Sequence, residues 1–270
     1  MLEVLVGLIV VPTALIYAWN WALVRMNPYV WDIYRYTGLL GTPLHELSHA
    51  LMCVIFRMRI QRIALYAPNA LTGTLGFVRF SYRPHSPLHA MGRLFQGVAP
   101  MITASLLMIW LLDLRNALGS PLDASLLSWI WGSAVATANN AGELFVSGWQ
   151  GALLVTWLAV LALHLIPSVS DIQISLAGLA GLLLVLAVFL LALDFIQANA
   201  VAFGVAKVAS VDLAYYLGWM LDSVERALWM GVMGVTATML MAFCGSIMVV
   251  VVPAVIWYAR DFVRGARGEI

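Results

Sequence analysis

Charge is what this chain has least of: Asp, Glu, Lys and Arg make up 10% of its 270 residues, where a water-soluble domain carries roughly 25%. With 63% hydrophobic residues and a mean hydropathy of +0.94, much of the surface must face something other than water, which excludes an ordinary soluble domain. Cysteine is nearly absent as well. Cys53 and Cys244 both fall in apolar stretches, which predicts two reduced, buried thiols and excludes a disulfide scaffold. No acidic or basic excess exists either. Fourteen Lys and Arg against thirteen Asp and Glu leave a net charge of +1, so a nucleic-acid partner has no electrostatic support. Internal repeats and low-complexity linkers are missing, and the simplest division is a single membrane-embedded domain over residues 1–270.

What is present is a series of long apolar runs. Residues 2–25 are long enough to cross a hydrocarbon core of about 30 Å at 1.5 Å per residue. The run carries Glu3 and continues past the length of a signal-peptide core, so it reads as a retained span. Thr42-Pro43, a capping hydroxyl followed by proline, predicts a second helix that continues to Phe56 and stops at Arg57. Residues 57–88 hold Arg57, Arg59, Arg62, Arg79 and Arg83 with no acid, together with β-like runs such as GFVRFSY. They predict a short hairpin, extramembrane or re-entrant, whose arginines suit anionic headgroups or mark a cytoplasmic loop. Further spans follow at 89–112, 122–138, 149–166 and 172–193, then an interfacial helix hairpin at 195–225 and a last span at 227–258. The expected fold is therefore all-α, a polytopic membrane protein with six or seven transmembrane helices and one β-like hairpin. The expected location is integral and multi-pass, in the cell membrane.

One motif carries chemistry. Positions 45–49 read HELSH; on a helix His45 and His49 lie four residues apart, so both imidazoles leave one face and can bind one Zn²⁺, with Glu46 beside them as the base that reaches an attacking water. With five His and five Glu in the chain, an HExxH pattern arises by chance roughly once in several hundred such sequences. An ionisable residue within a membrane helix costs about 2.5 to 3.5 kcal/mol unless partnered or solvated, so a functional role is favoured over a polar cluster that merely joins helices.

A catalytic zinc site takes three protein ligands and one open position. Asp171 is the first candidate for the third ligand: it stands alone between Glu143 and Asp194 as an acid, after Pro167 and Ser170, at the expected first turn of a helix. Helix capping is its alternative role. His164, in the preceding span, is the rival, either as a ligand or as a partner that orients one. His85 and His89 share the i,i+4 spacing, but Pro84 and Pro87 argue against a regular helix there and place both at the interface. Asp32 and Arg35 are expected to form a solvated pair beside aromatic residues.

HELSH near a helix start, GVAPMITASLL in a later helix and an acid at the start of another together resemble the site-2 protease group of intramembrane zinc metalloproteases. The resemblance covers about residues 40–195. In that group a Gly-Pro motif followed by asparagine marks the middle helix, matched by Gly97 to Pro100 with Thr103 in the asparagine's place. An aspartate in a Leu-Asp-Gly motif supplies the third ligand there, where this chain has Ser170-Asp171-Ile172. The resemblance implies a zinc metalloendopeptidase of a divergent branch, a hydrolase of membrane protein or peptide substrates within the lipid bilayer. The alternative is a non-catalytic metal-binding membrane protein, a transporter or a proteolytically inactive scaffold.

The expected helix starts also constrain topology. With His45 one turn into its helix and Asp171 at the start of its own, a shared metal requires both helices to enter from one face, hence an odd number of crossings between them. That favours a span at 122–138, unless the PSVSD turn is sunk into the bilayer.

Overall fold

Three helices in this chain open on an oxygen-bearing cap, Asn27, Ser86 or Ser125, followed in two of them by proline. The computed structural model describes residues 12–19, 21, 27–69, 71, 73–116, 125–198 and 210–266. Helix α1 (Pro28–Ile55) starts where the Asn27 side chain accepts the Val30 N–H at 2.9 Å and Pro28 occupies the first turn. Pro43 is thus inside the helix rather than at its start. The same cap-then-proline grammar occurs at both places, and the upstream one begins the helix. His45 consequently lies mid-helix, seventeen residues or about 26 Å from the start at 1.5 Å per residue. Phe56 caps α1, and Arg57 turns the chain in the left-handed region at φ 54°.

An antiparallel hairpin follows, β1 (Arg59–Ala64) paired with β2 (Phe77–Ser81), with a bulge between Ile60 and Arg62. Helix α2 (Pro87–Leu111) is capped by Ser86, and α3 (Leu126–Val146) by Ser125. The helix expected over 122–138 therefore starts later and ends later. Helix α4 (Trp149–His164) and helix α5 (Val169–Ala198) are separated by a four-residue break and bent 64°. The pair is either one broken span or a re-entrant segment. Helix α6 (Ser210–Ser246) runs through the boundary expected near 226, so the separate interfacial hairpin at 195–225 is not found; residues 199–209 lie outside the described set. The turn Ile247–Val251 widens to a π-helix ahead of Pro253, which cannot donate a backbone bond, and α7 (Val252–Ala266) follows. The run 2–25 is described only over 12–19, which is helical, and residue 21.

By length and composition two stretches among the described residues can cross a membrane, α2 and the continuous Asp222–Arg264, and the bent α4–α5 pair makes a third. Helix α1 falls short by that measure because His45, Glu46 and His49 dilute its apolar run.

The main core lies among α2, α3, α4 and α6, where Met108, Leu158, Met233 and Met241 interlock with Ala159, Ala162, Ala237 and Ala242. Small residues let these helices approach closely, the usual device where lipid supplies no hydrophobic drive between helices. Leu112, at the end of α2, is satisfied by Asn140, whose Nδ2 donates to its carbonyl at 2.7 Å. Cys53 is buried as expected, but Cys244 is exposed on the outer face of α6; both are free.

The approach of α2 to α5 decides where Asp171 goes. A Cβ at Gly97 would collide with the Asp171 carbonyl oxygen and lie 2.8 Å from the Ser175 nitrogen. Gly97→Val should therefore lower stability by about 1–3 kcal/mol or more. Gly142→Ala, in open space on α3, should instead be neutral or stabilise by up to about 1 kcal/mol. Thermal melting of the detergent-purified variants checks the pair.

Candidate metal centre

Three elements converge on HELSH. From α1, His45 and His49 project side by side, their rings 4.8 Å apart at 70°. Each ring is held from behind by a carbonyl. His45 Nδ1 donates to the His164 carbonyl at 3.0 Å, and His49 Nδ1 donates to the Gln96 carbonyl at 2.6 Å. A carbonyl can only accept, so the Nδ1 atoms carry the protons and both Nε2 lone pairs are left facing Asp171. That arrangement of a histidine with its far nitrogen held by a backbone carbonyl is the usual support for a metal ligand.

Asp171 arrives from the start of α5. Ser168 N and Oγ donate to its Oδ2 at 2.8 and 2.6 Å, and Asp171 N donates back to Ser168 Oγ at 3.2 Å. This is a reciprocal capping box, S-x-x-D, at the helix start. The two roles considered for Asp171 thus coexist: Oδ2 caps the helix, and Oδ1 accepts no hydrogen bond from the described residues. His45 Nε2 stands 3.6 Å from Oδ2 and His49 Nε2 3.5 Å from Oδ1. Those separations exceed the 2.7–3.2 Å of a hydrogen bond. They are close to the about 3.3 Å edge of a tetrahedron built on zinc bonds of about 2.0–2.1 Å. Donor atoms of His45, His49 and Asp171 all fall within 4.8 Å of one another, the only such His, Cys, Asp or Glu group among the described residues. The set can hold a metal ion.

His164 does not compete for that place. Its Nε2 faces the Thr37 hydroxyl at 3.0 Å, its ring lies 4.6 Å from Tyr34, and only its backbone carbonyl reaches the site. The i,i+4 pair downstream is not a site either, since His89 Nδ1 accepts the Arg83 N–H at 2.6 Å and α2 begins after His85. Asp32 and Arg35 form the expected exposed pair at 3.1 Å.

A cavity of about 430 Å³ opens onto the cluster, lined by Glu46, Gln96 and residues 73–78 among others. Glu46 is buried, its carboxyl against Gly76, where a Cβ would come within 2.9 Å of Oε1. Thr103 is not in the cavity wall; its hydroxyl meets that of Ser48 at 2.9 Å and ties α2 to α1 just behind the motif. Ser168 and Gln96 are contributors that the reading of the sequence missed. The S-x-x-D pattern before an apolar run was a usable signal for Ser168; Gln96 acts through its backbone, which no side-chain pattern announces. Comparison with protein-family models, curated proteins and solved structures finds no match, so the reading of this centre rests on its own geometry.

Metal content separates the roles. His45→Ala, His49→Ala and Asp171→Ala should each lose the capacity to bind a divalent metal ion, with zinc as the probe. Ser168→Ala, which frees the ligand carboxylate, should weaken that binding about 10- to 100-fold. His164→Ala keeps the carbonyl that orients His45 and should stay within about tenfold of the unmodified protein. Zinc titration against a competing chelator checks the order.

Proposed function

We propose that this chain is a membrane-embedded zinc metalloprotease that hydrolyses peptide bonds of membrane-associated proteins. The observation that carries the reading is the placement of Glu46 in one cavity with His45, His49 and Asp171, whose donor atoms cluster within 4.8 Å. A metal site that only stabilised the helices would need no ionisable residue beside it facing an open cavity. When bound, zinc polarises a substrate carbonyl and acidifies water. The chain's own residues do the rest. Glu46 takes a proton from the attacking water and passes it to the leaving amine nitrogen, a transfer typically worth 10² to 10⁴ in rate. His45 and His49, braced by two backbone carbonyls, hold the metal without rotating, and Asp171 is braced by Ser168. Residues 73–78 wall the cavity on the side of Glu46.

The membrane setting is supported by the outward faces. Leu39, Leu40, Leu47, Leu51 and Val54 of α1, with Leu106 and Trp110 of α2, are exposed, apolar faces suited to lipid. In this reading the chain is polytopic and crosses the bilayer six or seven times, counting residues 2–25 and taking the bent α4–α5 pair as one crossing or two. His45 is mid-helix in α1 and Asp171 sits at the α4–α5 bend. With the pair as one bent crossing, Asp171 lies within the bilayer as mid-helix His45 does, and no odd number of crossings between them is required.

Glu46→Gln is the direct test. Zinc should stay bound, because both imidazoles and the aspartate remain, while cleavage of a membrane-peptide substrate falls at least about 10²-fold. Undiminished cleavage by that variant removes the enzyme assignment.

A further inference from the structure

The hairpin beside the metal centre carries an imbalance that the proposed protease chemistry does not use. Between Glu46 and Asp113 the chain holds no acid and six arginines, Arg57, Arg59, Arg62, Arg79, Arg83 and Arg93. The fold concentrates them. Arg62 pairs directly with Arg79 across the hairpin, and Arg59 pairs with Ser81. Residues three apart on a strand normally point to opposite faces. The bulge between Ile60 and Arg62 absorbs one residue, so Arg59, Arg62 and Arg79 emerge on one face. Both Arg62 and Arg79 lie over the same Phe77 ring, 5.6 and 5.3 Å from its centre. Among the described residues none of the three makes an ion pair with a carboxylate.

Like charges directly opposite on an antiparallel pair are destabilising, and a pair of cation–π contacts to one ring offsets only part of that repulsion. An anion between the two guanidiniums reverses the sign of the interaction, and the planar fork of Arg suits phosphate. The apolar surroundings indicate where that anion comes from. Leu71, in the segment that joins the strands, is 98% exposed, Ile63 and Leu65 are exposed on β1 and after it, and Arg93 stacks on the exposed Tyr82 at 4.5 Å. Basic residues interleaved with exposed aliphatic and aromatic side chains are the make-up of a segment seated at a lipid headgroup layer.

We propose that Arg62 and Arg79, with Arg59 on the same face, form a binding site for the phosphate of an anionic lipid headgroup, and that this contact anchors the hairpin at the membrane surface. The site is independent of the protease reading.

The test uses the full chain purified in detergent, titrated with dioctanoyl phosphatidylglycerol, dioctanoyl phosphatidylcholine, inorganic phosphate and a polyglutamate peptide, with affinity and thermal melting as readouts. The phosphatidylglycerol lipid should bind most tightly and raise the melting temperature. In the Arg62→Gln/Arg79→Gln variant its affinity should fall at least about tenfold, since each basic residue near an anionic surface contributes about fivefold. Without lipid, that variant should melt no lower than the unmodified chain because the repulsion is gone; if the double variant does not fold, Arg79→Gln alone should show at least a threefold loss. Equal binding of phosphatidylcholine, or undiminished phosphatidylglycerol binding by the variants, overturns the proposal. Inorganic phosphate or polyglutamate binding as tightly as the lipid also overturns it, by assigning the site to a soluble anion or to an acidic protein segment.

Discussion

The contact between Gly97 of α2 and the first turn of α5 is the constraint on which the centre depends. Because Gly97 has no side chain, the Asp171 and Ser175 backbone comes against α2 itself, and the carboxylate of Asp171 is delivered to the imidazoles of α1. The same stretch of α2 supplies the Gln96 carbonyl that holds His49. One helix thus fixes two of the three donor side chains, one through its backbone and one through the absence of a side chain. The third, His45, is fixed from the α4 side by the His164 carbonyl.

That last bond explains the break between α4 and α5. The final carbonyls of a helix have no intrahelical partner, and an apolar setting makes leaving them unpaired expensive. Ending α4 at His164 turns one such carbonyl toward His45, and starting α5 at Val169 turns the capping Ser168 toward Asp171. Broken backbone at depth is tolerated in a membrane protein where it is buried in protein or lines a water-filled cavity. Here residues 166–171 do line the cavity. The polar groups freed by the break are the ones that orient the candidate ligands.

The hairpin closes the arrangement from the other side. Gly76 packs on the Glu46 carboxyl, and residues 73–78 form the cavity wall, so Glu46 sits beneath a two-stranded sheet and not under open solvent. A two-stranded sheet is marginal alone. This one rests on Leu75, which belongs to a core cluster with Tyr34, Val160, Leu163 and Val249. Arg62 and Arg79 share the face of Phe77.

The mostly helical chain, the hairpin after the HELSH helix and the metal cluster of His45, His49 and Asp171 were all readable from residues in order, because each depends on local rules: apolar run length, β-like alternation before a proline, i,i+4 spacing on a helix. The start of α1 lies fifteen residues ahead of the expected one because Asn27-Pro28 and Thr42-Pro43 obey the same capping rule, and the helix runs on through Pro43 with Gly38 and Gly41 packed against Leu75 and His164. The role of His164 was likewise open in the sequence. A histidine in an apolar span needs a partner, but whether that partner is a metal or a hydroxyl depends on which helix lies beside it, and Thr37 was 127 residues away. The sequence by itself therefore determined which groups could meet a metal. Tertiary structure decided which of them come together and which atoms hold them in place, because backbone carbonyls carry no residue-type signature and become specific only when helices from distant parts of the chain are set side by side.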